Sequence, residues 1–263
     1  MAVLNVGAGA DALVQGAAHR IAELLLDAAA RYGHARLCLT GGSTPRQMYR
    51  LFGQPPDDIL RKIEWTRIHL FWGDERHVPP EHSDSNFGMA NELLVKPTAV
   101  PSAQVHRMRG ELPDAAAAAR EYDSIVRRYQ RPAGAPTFDV MLLGLGADAH
   151  IASLFPGSPL LDEFKAAEDL AAIVAQERAG GASSARAAAV WAAHLNAWRI
   201  TLTPAALLDS HAILVLTAGA GKSGAVHTAL RLEENLSRYP AQLLRAADAR
   251  VEWWMDRDAA GRI

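Results

Sequence analysis

The sequence has one cysteine, Cys38, among its 263 residues, so no disulfide can form within the chain. Cys38 lies in the apolar run Leu37-Cys38-Leu39, which suits a small core residue and a reducing compartment. Aromatic residues are scarce at 6%, too few for a platform on which nucleic-acid bases stack. Neither sign of charge dominates: 27 Lys and Arg against 29 Asp and Glu leave −2. That balance excludes a surface built as a whole for nucleic acid and leaves room for a local basic pocket. Long apolar runs are missing too. The longest, such as Ala212-Ile213-Leu214-Val215-Leu216, are strand-length and far below the roughly 20 residues that span a bilayer. The opening MAVLNVGAGADALVQ has no basic segment and is interrupted by Asp11, so no export signal is expected. The expectation is a cytoplasmic protein with no membrane or nucleic-acid partner.

What is present is an alternation of short apolar runs with longer amphipathic segments. The spacing of Leu13, Ala17, Ile21, Leu24 and Leu25 predicts a helix over 12–32. Further helices are expected over 44–52 with Pro45 near the first turn, over 84–95 closed by Pro97, over 114–129 with Asp114 at its start, and over 222–236. Strands are expected over 36–40, 67–72, 138–143, 170–176, 199–202, 211–217 and 251–255, with one of Trp253 and Trp254 facing the core. The segments 97–113 and 178–188 read as loops. Several strands are apolar at nearly every position, as parallel strands covered on both faces are. The fold expected is therefore α/β, a doubly wound, mostly parallel sheet with helices on both faces. A chain of this length fits one such domain over 1–263.

In such sheets ligands bind beyond the carboxyl ends of the strands, and four strand ends carry unusual residues. The first is Thr40-Gly41-Gly42-Ser43-Thr44-Pro45. Glycines let backbone approach a ligand, and the N–H groups of a helix start favour an anion; a plain turn with a cap is the simpler alternative. The second, Gly73-Asp74-Glu75-Arg76-His77, puts three charges directly after an apolar strand. Arg76 could hold a phosphate by paired hydrogen bonds and Asp74 could orient a hydroxyl or a water. A solvated loop with an Asp–Arg pair is the alternative.

The third strand end is Gly144-Leu145-Gly146-Ala147-Asp148-Ala149-His150. Its glycines match a dinucleotide fingerprint, with Asp162 or Glu163 at a suitable distance, but Pro156-Gly157 ends any helix within about two turns, and that motif must open a full crossover helix. The stronger reading is Asp148 beside His150. A carboxylate next to an imidazole fixes its tautomer and raises its basicity, which makes a general base near neutral pH. With 10 histidines in the chain, a packing role for any one of them is the competing reading. The fourth, Gly219-Ala220-Gly221-Lys222-Ser223, fails as a nucleotide-binding loop because position 216 is Leu. It leaves a lysine at a helix start, suited to a phosphate or carboxylate. No His, Cys, Asp or Glu cluster has metal-ligand spacing, so no metal is expected.

Together these segments resemble the glucosamine-6-phosphate isomerase/6-phosphogluconolactonase family, from about Leu37 to the C-terminus. The resemblance is carried by Leu39–Pro45, by Trp72–Pro79 with Asp84-Ser85-Asn86, by Gly144–Gly146 through Ser153-Leu154-Phe155-Pro156-Gly157, by Arg199-Ile200-Thr201-Leu202-Thr203 and by Gly221-Lys222. Asp-Glu-Arg and the Ser-Leu-Phe-Pro-Gly ending point to the lactonase branch. The resemblance implies a Rossmann-like sheet and hydrolysis of the sugar-phosphate lactone 6-phospho-D-glucono-1,5-lactone in the pentose phosphate pathway, with no metal or organic cofactor, by a monomer or small homo-oligomer. It implies His150 as the base and Asp148 as its orienter. Gly41, Gly42, Ser43, Arg76 and Lys222 would hold the phosphate, and Asp74 and Arg199 would line the site. A deaminase- or isomerase-like enzyme and a non-catalytic sugar-phosphate binder remain the alternatives. One departure bears on the last: the family's usual Asp-Gly-His is Asp148-Ala149-His150 here. A positive φ at 149 would strain alanine by roughly 1–2 kcal/mol; a negative φ would make the change harmless.

Overall fold

The computed structural model describes residues 2–132, 134–162, 164, 166–179 and 184–263. Among them nine strands follow in chain order: β1 (Val3–Gly7), β2 (Ala35–Leu39), β3 (Ile68–Trp72), β4 (Asp74–Arg76), β5 (Phe138–Gly144), β6 (Ala187–Ala192), β7 (Ala197–Leu202), β8 (Ser210–Thr217) and β9 (Val251–Asp256). Every residue of β2 is buried, as are all but the last of β5, so helices must cover both faces of these strands. Six strands form one sheet in the order β1-β9-β8-β5-β2-β3, and every pairing in it is parallel. After β2 the chain places β3 on one side of it, then returns to set β5 on the other. The strand order reverses between β2 and β5, and a crevice opens beyond their carboxyl ends, Leu39 and Gly144.

A smaller antiparallel sheet, β4-β7-β6, stands beside that crevice. Only Gly73 separates β3 from β4. Its N–H donates to the Leu39 carbonyl (2.9 Å) and its carbonyl accepts from Leu202 N–H (2.8 Å). That one residue ties the small sheet to the end of the large one. No helix among the described residues is long and apolar enough to cross a membrane.

The expected strand over 170–176 is a helix, Ala167–Arg178. Ala167, Leu170 and Val174 are its buried positions, the spacing of a helix face, and Glu168 and Asp169 sit at its positive N-terminal end. The loop expected over 178–188 lies partly outside the described residues, as does Glu163, and its end belongs to β6. The helix expected over 84–95 starts at Asn86 with Ser85 as its cap and does not stop before Pro97. Proline lacks an N–H and its ring crowds the carbonyl four residues back; the backbone accommodates it by widening into a π turn over Asn91–Val95. The last long helix is shorter than expected, Ser223–Arg231. Gln242 and Arg245 explain the early end: their side chains donate to the carbonyls of Thr228 (3.0 Å) and Ala229 (3.1 Å), which the next turn would otherwise use. Trp253 is buried and Trp254 half-buried, packed over Gly16.

At the opposite end of the sheet from the crevice, the segment after Pro97 runs along the free edge of β3, where His106 N–H donates to the Leu70 carbonyl (2.8 Å). This sets His106 against His69, with ring nitrogens 3.0 Å apart, and His34 meets His69 edge-on. Burial, then the charges of neighbouring His69, Arg128 and Arg36, pushes His106 down to about 4. Burial first and Arg36 among the nearby charges also lower His34 and His69. A histidine whose folded pKa lies below its unfolded value takes up protons first in the unfolded chain. Its contribution is fully present above pH 6.5 and is lost as pH falls toward 4. The urea midpoint should therefore drop between about pH 7 and about pH 5, above the range where most carboxylates titrate. It should drop less in His106→Phe, and an equal drop in that variant would remove His106 from the account.

Candidate active site

The strand β5 ends in a tight turn. Ala149 N–H donates to the Gly146 carbonyl (3.1 Å), and Gly146 N–H donates to the His150 carbonyl (2.9 Å). No helix follows it; the next helical turn begins at Pro159, so the dinucleotide motif has no crossover helix here. The turn folds Asp148 and His150 onto one another, with His150 Nδ1 2.6 Å from Asp148 Oδ1. Partial burial works against the Asp148 charge, but the adjacent imidazole and its hydrogen bonds outweigh it, and the carboxyl sits below its ordinary value. An ionised carboxylate only accepts hydrogen bonds, so the proton of neutral His150 lies on Nδ1. Nε2 then carries a lone pair that can take a proton from water.

Ala149 has φ +62, the left-handed conformation that glycine adopts freely. The strain of about 1–2 kcal/mol therefore applies, yet the His–Asp contact forms. Two effects offset it. The Ala149 methyl is buried in the core, worth about 0.8 kcal/mol, and alanine loses about 0.4–1 kcal/mol less chain entropy than glycine on folding. Ala149→Gly should thus change stability by less than about 1 kcal/mol, read as a shift in the thermal midpoint. Stabilisation beyond about 2 kcal/mol would mean the strain is not offset.

Opposite the dyad, helix Ser43–Gly53 starts at Gly42, whose φ of +110 and ψ of 170 suit glycine alone. No side chain caps this helix, so its first N–H groups are available to an anion. Two cations share the cavity. Lys222 follows β8, in a single turn before Ser223–Arg231, and its Nζ donates to the Leu145 carbonyl (2.7 Å). Arg76, from β4, donates to the Asp84 carbonyl. The cavity holds about 200 Å³, and its lining includes Gly41, Gly42, Asp74, Arg76, His150 and Lys222. Ser43, Asp148 and Arg199 do not line it. Asp148 touches it through His150, and Ser43 is exposed at the helix start. Arg199 lies on β7 directly across from Arg76. Burial and then the Arg76 charge lower Arg199, as expected for paired like charges.

Asp74 is buried with both carboxylate oxygens engaged: one accepts from Ser153 Oγ (2.7 Å), the other from Asn86 Nδ2 (3.2 Å). It ties β4 to the dyad turn and to the helix starting at Asn86, a positioning geometry. Three further residues have roles that the sequence did not assign, although Glu75 and Asn86 lie inside motifs it singled out. Asn86 packs so closely on Gly41 that a Cβ there would lie 2.0 Å from its Oδ1. Glu75, buried and raised by that burial against its hydrogen bonds, accepts from the N–H groups of Asn86 (2.8 Å) and Phe87 (2.7 Å). Asp256 accepts from Gly219 N–H (3.0 Å) and holds the loop that delivers Lys222. Each acts on a residue distant in the chain, so the motifs that contain Glu75 and Asn86 do not reveal what they hold, and no motif marks Asp256. Among the described residues no group of His, Cys, Asp and Glu could hold a metal ion.

The chain can be set beside known proteins at this point. The 6-phosphogluconolactonase of Mycobacterium tuberculosis is 33% identical over 258 residues, covering 96% of this chain and 95% of that protein. The crystal structure of a 6-phosphogluconolactonase from Shewanella baltica matches with a TM-score of 0.78 at 26% identity, over 97% of this chain and 98% of the other. That of the Trypanosoma brucei 6-phosphogluconolactonase matches with a TM-score of 0.80 at 25% identity, over 100% and 99%. The fold of the chain, over nearly its whole length, is thus shared with these two structures. The family model for glucosamine-6-phosphate isomerases/6-phosphogluconolactonase matches residues 8–253, and the chain belongs to that family.

Proposed function

We propose that this chain hydrolyses 6-phospho-D-glucono-1,5-lactone to 6-phospho-D-gluconate, with His150 as the general base. One observation carries the reading: the imidazole of a His–Asp pair opens into the same cavity as an uncapped helix start and two cations. The anion end takes the phosphate through Gly41, Gly42, Arg76 and Lys222, which line the cavity, with Ser43 contributing from the helix start at its rim and Arg199 adding positive charge behind Arg76. Binding at this remote end places the lactone carbonyl near His150. His150 Nε2 removes a proton from water as the oxygen bonds to the carbonyl carbon. Collapse of the tetrahedral intermediate breaks the bond to the ring oxygen, and the imidazolium returns the proton to that oxygen. Asp148 holds the tautomer, and Asp74 positions the turn and Asn86. The proposal includes a single domain over 1–263 acting in the cytoplasm, as a monomer or small homo-oligomer, without a resident cofactor.

The test is hydrolysis of freshly generated lactone against a protein-free blank, since the lactone also opens spontaneously. Acceleration supports the reading; its absence, with tight binding of 6-phosphogluconate, would favour a non-catalytic binder. Arg76→Ala should raise KM about 10- to 100-fold, the cost of a charged hydrogen bond to phosphate, with kcat changed much less. An unchanged KM would place Arg76 outside the phosphate grip.

A further inference from the structure

Asp148 accepts from the His150 backbone N–H (3.2 Å) and holds the ring itself at one atom, Nδ1 (2.6 Å). A ring held by its Cβ–Cγ bond and a single hydrogen bond can still tilt by small rotations of its side chain, and the tilt decides where Nε2 points. Gly146 backs the ring closely on one side, and an aromatic contact comes from Phe155, half-buried just after the next turn, which the Ile151–Leu154 bridge closes. Its ring centroid lies 4.7 Å from that of His150, inclined at 50°. The same ring meets His194, again at 4.7 Å, edge-on at 72°. His194 sits in the single turn Ala193–Leu195 that joins β6 to β7, closed by Asn196 in the left-handed conformation (φ +47). The same hairpin reaches the dyad turn a second time, where Ser153 N–H donates to Thr201 Oγ1 (3.4 Å). The small sheet thus contacts the segment that follows His150 at two points, and Phe155 links the His150 ring to the hairpin at one of them.

We propose that Phe155, braced by its contact with His194, is a positioning residue that fixes the plane of the His150 imidazole and so aims Nε2 into the cavity. The inference rests on the hydrolase reading above. Phe155 does not line the cavity, so its loss should act on kcat and leave substrate binding alone. Phe155→Ala should lower kcat about 10- to 100-fold, the usual result of misplacing a reacting group by about 1 Å, with KM within about twofold. Phe155→Tyr, which keeps the ring, should restore kcat. His194→Ala should lower kcat several-fold, and His194→Phe should recover it.

A second readout needs no turnover. With the full chain labelled at histidine Cε1, the His150 resonance is the one missing from His150→Ala. It should broaden or split in Phe155→Ala and, more weakly, in His194→Ala. A wild-type kcat in Phe155→Ala, or a sharp His150 resonance in both variants, overturns the proposal. Were Phe155→Ala to unfold, His194→Ala alone decides, because His194 is exposed. If the wild-type chain gives no acceleration, the hydrolase reading fails while the resonance still decides whether Phe155 fixes the ring.

Discussion

His150→Ala is expected to lower kcat for lactone hydrolysis about 10²- to 10⁴-fold, the range a positioned general base supplies, while affinity for 6-phosphogluconate stays within about threefold. The two outcomes separate because the two ends of the cavity are built from different elements. The anion end draws on the helix start at Ser43, on β4 and on the loop after β8; the base sits on the turn after β5. Removing the imidazole takes nothing from the phosphate grip. Asp148→Asn tests the other half of the pair. An amide can donate to Nδ1, which would move the proton to Nε2 and leave no lone pair facing the water. That variant should also lose most of its turnover with binding intact. Full activity in His150→Ala would remove it as the base, and full activity in Asp148→Asn would mean the tautomer is set some other way.

Much of the frame was legible in the sequence because parallel strands buried on both faces are apolar throughout, and β2, β5 and β8 show it plainly. The site was legible because polar and glycine-rich residues directly after such strands stand out. Leu170–Gln176 misled for a related reason: a short apolar run in a helix buried along one face looks like a strand unless its period is checked. The edge strand β1 and the alanine-rich β6 carried too weak a pattern to be read. Positions 74 and 148 are each a charged residue at a strand end, and sequence alone does not separate them. The fold does, by closing both oxygens of Asp74 with Ser153 and Asn86 while leaving Asp148 to His150. Ala149 is legible as a departure, but the sign of its φ is set by the turn as a whole.

Gly146→Ala should be nearly as damaging as removing the base, although it deletes nothing. Gly146 does not need glycine for its backbone angle; its φ is not among the positive ones. It needs glycine for space. A Cβ there would lie 2.0 Å from His150 Nδ1, 2.3 Å from its Cε1 and 2.5 Å from Asp148 Oδ1. Ordinary contact begins near 3.4 Å, so the pair must move by more than about 1 Å or separate. A displacement of that size costs on the order of 100-fold in rate. The added methyl also meets the atoms that hold the tautomer, so orientation and basicity are lost together. The alternative response is a shift of the turn itself, which the hydrogen bonds of Gly146 to Ala149 and His150 resist. Two measurements separate these cases. Loss of kcat with an unchanged unfolding midpoint and intact 6-phosphogluconate binding would place the damage in the pair alone. A midpoint lowered by several degrees would place it in the turn, and full activity would mean that the His–Asp contact is dispensable for the reaction.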